Sequence, residues 1–120
     1  MNSANLEIGQ LGERIAKKYL QDKGYRIMDE NYKNKYAEVD LITDNKGILV
    51  FVEVRTRIGE QFGAPEDSIN KNKMKKLIRN AEAYVARTRY SKKYRIDAVC
   101  IVLNKERKLS RIDHYENLTG

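Results

Sequence analysis

The sequence lacks the features that mark secreted, membrane-bound or disulfide-stabilised proteins. It has one cysteine, one proline and no tryptophan, and a single cysteine excludes an internal disulfide. No apolar run approaches the roughly 18 residues of a membrane span, and the start lacks the basic segment and apolar core of a secretory signal. We therefore expect one domain over residues 1–120, located in the cytoplasm and not bound to a membrane.

The positive charge is concentrated in the second half of the chain. Residues 1–60 carry ten basic and ten acidic side chains, whereas residues 61–120 carry fourteen and seven, which gives the net charge of +7. This density suits a polyanionic partner, although solvated lysine-rich helices are also common. The basic residues that we expect to contact nucleic acid are Arg57, Lys73, Lys75, Lys76, Arg79, Lys92 and Lys93.

Hydrophobic periodicity predicts two helices and five strands. The predicted helices are 8–23 and 68–88, and the predicted strands are 25–32, 36–43, 48–57, 96–103 and 109–116. A loop with two glycines and a proline follows the third strand. The order αβββαββ predicts an α/β sandwich with a mixed central sheet. His114, the sole histidine, is expected at the surface of the last strand.

Acidic residues interrupt two apolar strands that a tight turn connects. If Lys46 and Gly47 are the two loop residues, Asp40 lies directly opposite Glu53, with Cβ atoms roughly 4.5–5.5 Å apart. A three-residue loop would instead place the two carboxylates on opposite faces of the sheet. The prediction of a shared site therefore depends on the length of this loop.

Carboxylates among valines need compensation for their lost hydration. Mg²⁺ or Mn²⁺ would supply it, because these cations prefer oxygen ligands. Alternation along the strands puts Glu38 on the face of Asp40, and Arg55 on the face of Glu53. A hairpin with a solvated, charged outer face is the alternative. Apolar residues on both faces of the hairpin favour a sheet covered on both sides, with the acids in a cleft.

Several short motifs follow one another in a fixed order. They are G-Q-L-G-E-R-I-A-K-K-Y-L at 9–20, G-Y at 24–25, N-Y at 31–32, A-E-V-D-L-I at 37–42, F-V-E-V-R-T-R at 51–57 and R-I-D at 95–97. As an ordered set they resemble the YraN-type bacterial proteins, uncharacterised protein family 0102. The resemblance covers nearly the whole chain. Ala37 departs from it, since the family often has glycine there.

The resemblance implies a restriction-endonuclease-like fold, that of the PD-(D/E)xK superfamily, and a similarity to Holliday-junction resolvases. It implies that Asp40 and Glu53 are the two motif acids and that Glu13 is the acid contributed by the first helix. The implied catalytic residues are Glu13, Asp40, Glu53 and Arg55, and the implied ligands of Mg²⁺ or Mn²⁺ are Asp40, Glu53 and Glu13. Glu38 matches the family motif in a supporting position.

Arg55 stands where the superfamily motif has lysine. Arginine stabilises developing negative charge but cannot give up its proton in a protein. Lys73 on the second helix could replace the missing lysine, and a solvated helix lysine is the alternative.

The leading hypothesis is a metal-dependent endonuclease that hydrolyses DNA phosphodiesters, on branched or single-stranded DNA. One alternative is a non-catalytic nucleic-acid-binding module that retains the nuclease-like fold. A small protein whose charged surface docks another protein is the other. A homodimer is expected only by analogy with the resolvases.

Overall fold

The computed structural model describes residues 3–35, 38–90 and 92–119. Its elements are α1 (Ser3–Asp22), β1 (Arg26–Lys33), β2 (Glu38–Asn45), β3 (Ile48–Ile58), a 3₁₀ turn (Pro65–Ser68), α2 (Lys71–Thr88), β4 (Tyr94–Leu103) and β5 (Leu109–Tyr115). The predicted order αβββαββ is confirmed. Helix α1 begins at Ser3, whereas the predicted helix begins at residue 8. Hydrophobic periodicity could not reveal the first turn, because that turn is exposed. Ala37 lies outside the described residues. Neither described helix combines the length and apolarity needed to cross a membrane.

The five strands form one mixed sheet in the order β1-β2-β3-β4-β5. Strands β3 and β4 are parallel, and the other neighbouring pairs are antiparallel. Helix α2 is the crossover between the two parallel strands, as a parallel pair requires. It begins after Asn70, whose side chain accepts a hydrogen bond from the Lys73 N–H at 2.9 Å.

The sheet is covered by one helix on each face, so the fold has three layers. On one face, Ala16 and Leu20 of α1 pack against the central strands. On the other, Leu77 and Ala81 of α2 pack against Phe51 and its neighbours. The apolar residues predicted on both faces of the hairpin are therefore buried, which confirms the covered sheet.

The β2–β3 hairpin has the two-residue loop on which the predicted register depends. Lys46 and Gly47 have φ angles of 54° and 85°, the combination that a type I′ turn requires. Pairing runs from Asn45 opposite Ile48 to Leu41 opposite Val52. This register places Asp40 across from Glu53, although the two strands no longer pair there.

Strand alternation breaks at Asp40. Val39 packs with Phe51 on the α2 side of the sheet, whereas Leu41 packs with Val52 on the α1 side. Regular alternation would put Val39 and Leu41 on the same face. The break lies beside Asn31 of β1, whose φ is 51°. The irregular backbone at this point opens the sheet at the acidic residues.

Candidate active site

A cleft of about 660 Å³ lies beside the point where β2 and β3 stop pairing. Side chains from α1, β2, β3 and α2 converge on it. The charged residues that line it include Glu13, Glu38, Asp40, Glu53, Arg55 and Lys73. The structure therefore brings together residues that are as far as 60 positions apart in the sequence (13 to 73).

The Asp40 side chain accepts a backbone hydrogen bond from β3 beyond the point where β2 and β3 stop pairing. Its Oδ2 accepts from the Val54 backbone N–H at 2.7 Å. A buried N–H without a partner would be costly, so the carboxylate stabilises the separated strands. In return, the backbone of β3 fixes the position of the carboxylate. Asp40 is therefore held at the mouth of the opening between the strands.

Asp40 and Glu53 crowd each other in a largely dry environment. Burial raises the pKa of Asp40 from 3.8 to about 9. The hydrogen bond to Glu53 and the negative charge of Glu53 add to this increase, and the hydrogen bond from the Val54 N–H opposes it. The Glu53 side chain is only 3% exposed. Two carboxylates this close favour binding one proton or one cation between them.

Glu13, Glu38 and Asp40 form a cluster of oxygen ligands. One oxygen atom from each residue lies within 4.8 Å of the other two. The Asn31 amide nitrogen lies between Glu13 and Glu38, and it donates to Glu13 at 3.1 and 3.2 Å and to Glu38 at 2.8 Å. An amide donor in this place offsets part of the repulsion between the carboxylates.

Gly12 sets the position of Glu13. A Cβ atom on Gly12 would lie 1.8 Å from the Thr56 Oγ1 atom, so α1 approaches β3 more closely than any other residue would permit. The buried Gly12 thus brings the next residue, Glu13, to the edge of the cleft. Glycine in a helix costs roughly 0.5–1 kcal/mol relative to alanine, and here the close approach requires it.

Two cations contact the buried Glu53. The Lys73 Nζ lies 2.8 Å from its Oε2, and the Arg55 guanidinium lies 3.2 Å from the same atom. The Lys73 side chain is 22% exposed and that of Arg55 is 35% exposed. Lys73 is therefore no solvated helix lysine. It brings a primary ammonium group into the cleft beside the Arg55 guanidinium.

The oxygen cluster fits a hard divalent cation. Mg²⁺ and Ca²⁺ bind oxygen ligands at about 2.0–2.6 Å, so oxygens up to roughly 4–5 Å apart can share one ion. The sequence pointed to Glu13, Asp40 and Glu53 as ligands. The structure groups Glu38 with Glu13 and Asp40, while Glu53 contacts the two cations. The sequence analysis did not identify Asn31 as a residue of the site. An asparagine within a predicted strand was the available signal, because asparagine tolerates the positive φ that marks a break in a strand.

The predicted nucleic-acid contacts divide into two groups. Arg57 and Lys73 line the cleft. Lys75, Lys76 and Arg79 are exposed on α2, and Lys92 and Lys93 are exposed before β4. None of these five lines the cleft. The Lys93 carbonyl accepts from the Leu49 N–H at 3.2 Å, so Lys92 and Lys93 lie beside the hairpin turn.

Comparison with known proteins gives the family. The model of Uncharacterised protein family UPF0102 matches residues 12–101. A UPF0102 protein of Caldanaerobacter subterraneus is 39% identical, with 92% of each chain covered. One of Desulforamulus reducens is 41% identical over 92% of this chain and 93% of its own, and one of Pelotomaculum thermopropionicum is 34% identical over 98% of both. The chain belongs to the UPF0102 family, which confirms the resemblance drawn from the motifs.

Proposed function

We propose that this member of the UPF0102 family is a metal-dependent endonuclease that hydrolyses DNA phosphodiesters. One observation supports the proposal most strongly: Glu13, Glu38 and Asp40 present oxygens within 4.8 Å of one another, beside a buried acid paired with two cations. Carboxylates of this kind hold Mg²⁺ or Mn²⁺, and adjacent cations attract the phosphodiester whose P–O bond water would cleave.

Glu13, Glu38 and Asp40 would hold the ion, with Glu53 adjacent to Asp40. A bound Mg²⁺ or Mn²⁺ lowers the pKa of a water molecule and polarises a phosphoryl oxygen. The chain's own contribution is positional. The Val54 N–H and the Asn31 amide orient the carboxylates before any ion binds, so little reorganisation is needed at the site.

Lys73 and Arg55 act on the phosphate rather than on the ion. Both approach Glu53 from the cleft lining, where they would offset the charge that accumulates on the phosphoryl oxygens in the transition state. A guanidinium does not give up its proton in a protein, so the role open to Arg55 is electrostatic.

The exposed lysines and arginine of α2 supply affinity for the DNA backbone. Lys75, Lys76 and Arg79 follow Lys73 on the same helix and face solvent. Contacts of this kind bind phosphates regardless of sequence, and their strength falls as salt rises. The acidic cleft and the basic helix are thus adjacent. DNA bound to the helix would have a phosphate close to a cation held in the cleft.

A non-catalytic nucleic-acid-binding module is the second candidate, and one observation favours it. Arg55 and Lys73 of the cleft lining are both paired with Glu53, which leaves this acid neutralised within the protein. A protein that only binds DNA would not need the Glu53 carboxylate to be available for a metal ion. The two candidates differ in one measurable property, which is metal-dependent cleavage.

The test is cleavage of branched, single-stranded and blunt duplex DNA at low salt with Mg²⁺ or Mn²⁺. We expect cutting by the wild type and its loss in Asp40→Ala and Glu53→Ala, with Asp22→Ala, an exposed aspartate on α1, as the matched control. A Mn²⁺-induced rise in melting temperature that Asp40→Ala abolishes would report the ion independently of activity. Absence of metal-dependent cutting on every substrate, with DNA binding retained, would establish the binding module instead.

A further inference from the structure

Phe62 is the most exposed large apolar side chain among the described residues, at 89%. It lies in the loop between β3 and the 3₁₀ turn and forms part of the cleft lining. Single exposed apolar residues are common on protein surfaces. This one differs by its place, because it shares a cleft with the carboxylates and cations of the candidate site.

The loop that carries Phe62 is fixed at both ends. The Gly59 N–H donates to the Leu103 carbonyl at 2.9 Å, and the Gly63 N–H donates to the Glu60 carbonyl at 3.0 Å. The Arg111 guanidinium contacts the Glu60 carboxylate at 2.6 Å. Gly59 and Gly63 have φ angles of 66° and 121°, which other residues rarely adopt.

The same arginine also anchors the far end of the loop. Arg111 contacts Glu66 at 2.8 Å, and the Tyr115 hydroxyl donates to Glu66 at 2.6 Å. The Ala64 N–H donates to the Asp67 carboxylate at 3.0 Å. These contacts hold the loop on both sides of Phe62, whose ring is exposed to solvent at the cleft.

We propose that Phe62 stacks on an unpaired nucleobase next to the phosphate held in the cleft. This inference rests on the proposed function and narrows its substrate to DNA with an unpaired nucleotide beside the scissile bond. A phenyl ring has no hydrogen-bonding group, so it stacks on any base without selecting its identity. The cleft volume of about 660 Å³ lies in the roughly 300–1,000 Å³ range of ligand pockets, so it has room for more than an ion and a phosphate.

The test is the affinity of full-length protein for a forked DNA with one unpaired 2-aminopurine at the junction, measured in Ca²⁺ so that no cleavage is required. We expect quenching of the 2-aminopurine fluorescence when the wild type binds. Phe62→Ala and Phe62→Leu should lose the quenching and bind about 5- to 150-fold more weakly, whereas Phe62→Tyr should keep both. Met28→Ala, at a 47% exposed apolar residue on β1, is the matched control and should change neither.

Blunt duplex DNA of the same length separates stacking from general damage. We expect Phe62→Ala to bind it as tightly as the wild type does. Unchanged affinity of Phe62→Leu for the fork, unchanged quenching, or an equal loss on fork and duplex would each overturn the inference. These results are independent of the cleavage assay, so failure of the stacking and failure of the nuclease proposal can be told apart.

Discussion

Lys73 on α2 and Glu53 on β3 are joined by an ion pair of 2.8 Å that connects a helix to the sheet at the base of the cleft. The carboxylate is almost fully buried, and burying one unpaired would cost several kcal/mol. The pair therefore ties the position of the ammonium group to the fold itself. It also holds the ammonium group beside the Arg55 guanidinium, which contacts the same carboxylate oxygen.

Replacing Lys73 should affect turnover more than binding. We expect Lys73→Ala to lower the rate of metal-dependent DNA cleavage about 100-fold or more, the usual cost of removing one group that stabilises transition-state charge. Lys76→Ala removes an exposed lysine from the same helix and is the matched control. It should leave the single-turnover rate at saturating protein unchanged. Equal rates for the two variants would remove Lys73 from the mechanism.

Replacing Asp40 with asparagine should stabilise the metal-free protein at neutral pH. The raised pKa of Asp40 means that its carboxyl group takes up a proton on folding, which costs free energy. Asparagine keeps an acceptor for the Val54 N–H and offers Glu53 a donor, so it reproduces the protonated aspartic acid without that cost. We expect Asp40→Asn to raise the melting temperature in EDTA by several degrees, since about 1 kcal/mol corresponds to roughly 3–6 °C at this size. Such gains are typical of substitutions in functional sites.

The same variant should lose its response to metal. Mn²⁺ is expected to raise the melting temperature of the wild type, because a ligand that binds only the folded state stabilises it. Asp40→Asn should show little or no rise. Asp22→Asn, exposed on α1, should behave as the wild type in both measurements. A lower melting temperature for Asp40→Asn in EDTA would contradict the crowding of the two acids.

The fold and the position of Asp40 opposite Glu53 could be predicted from the sequence because both depend on local signals. The two-residue turn fixed the register, and the register placed Asp40 across from Glu53. The sequence offered Lys73 as a replacement for the motif lysine but left a solvated lysine as the alternative, because helical periodicity does not give the rotation of a helix over a sheet. The switch of Val39 to the α2 side was missed for a similar reason. It follows from an irregularity at Asn31, which no alternation pattern shows.

The expected surface position of His114 was wrong. Its side chain is only 2% exposed, and its Nε2 lies 2.8 Å from the Asp97 carboxylate. Strand β5 alone would leave His114 exposed, but residues from the end of α1 and the segment just after it cover the ring. Tyr19 and Tyr25 contact its ring edge to face, and the Lys23 Nζ lies 2.7 Å from its Nδ1. Contacts between residues 91 positions apart leave no trace in local sequence patterns.

Asp97 should stabilise the protein at neutral pH and lose this effect in acid. Hydrogen bonds from His114, Arg95 and the Asn117 N–H outweigh the effect of burial and lower the pKa of Asp97. A carboxyl group whose pKa is lower in the folded than in the unfolded protein stabilises the fold at pH values above its unfolded pKa of about 3.9. This stabilisation is lost as the pH falls through the folded pKa. We expect Asp97→Asn to cost about 3 kcal/mol or more at pH 7, measured by urea unfolding.

The difference between wild type and Asp97→Asn should shrink as the pH falls below about 4. Asp22→Asn is again the control, because its exposed pair with Lys18 is worth little. A difference that stays constant down to pH 2 would show that Asp97 acts through packing and not through its charge.

The salt dependence of DNA binding should report the exposed face of α2. Each phosphate contact on duplex DNA contributes about −0.9 to the slope of log K against log salt. We expect the triple variant Lys75→Ala, Lys76→Ala, Arg79→Ala to reduce the magnitude of the slope by roughly 2 to 3. Lys92→Ala with Lys93→Ala, beside the hairpin turn, should change it less. The reverse order would place the DNA on the hairpin end of the sheet.

Gly9 and Gly12 lie one helical turn apart on α1, and alanine should have opposite effects at the two positions. A Cβ at Gly9 meets nothing within 4 Å, so Gly9→Ala should stabilise the helix by roughly 0.5–1 kcal/mol. A Cβ at Gly12 would lie 1.8 Å from Thr56 Oγ1. Gly12→Ala should therefore cost about 1–3 kcal/mol or more, because the core is overpacked.

The second effect should reach the site as well as the stability. Pushing α1 away from β3 moves Glu13 out of the oxygen cluster, so Gly12→Ala should also weaken Mn²⁺ binding and metal-dependent cleavage, whereas Gly9→Ala should not. Removing the clashing hydroxyl in Gly12→Ala, Thr56→Ala should recover part of both losses, which urea unfolding and Mn²⁺ titration can measure as a coupling between the two residues. Additive effects of the two substitutions would mean that the approach of α1 to Thr56 does not position Glu13.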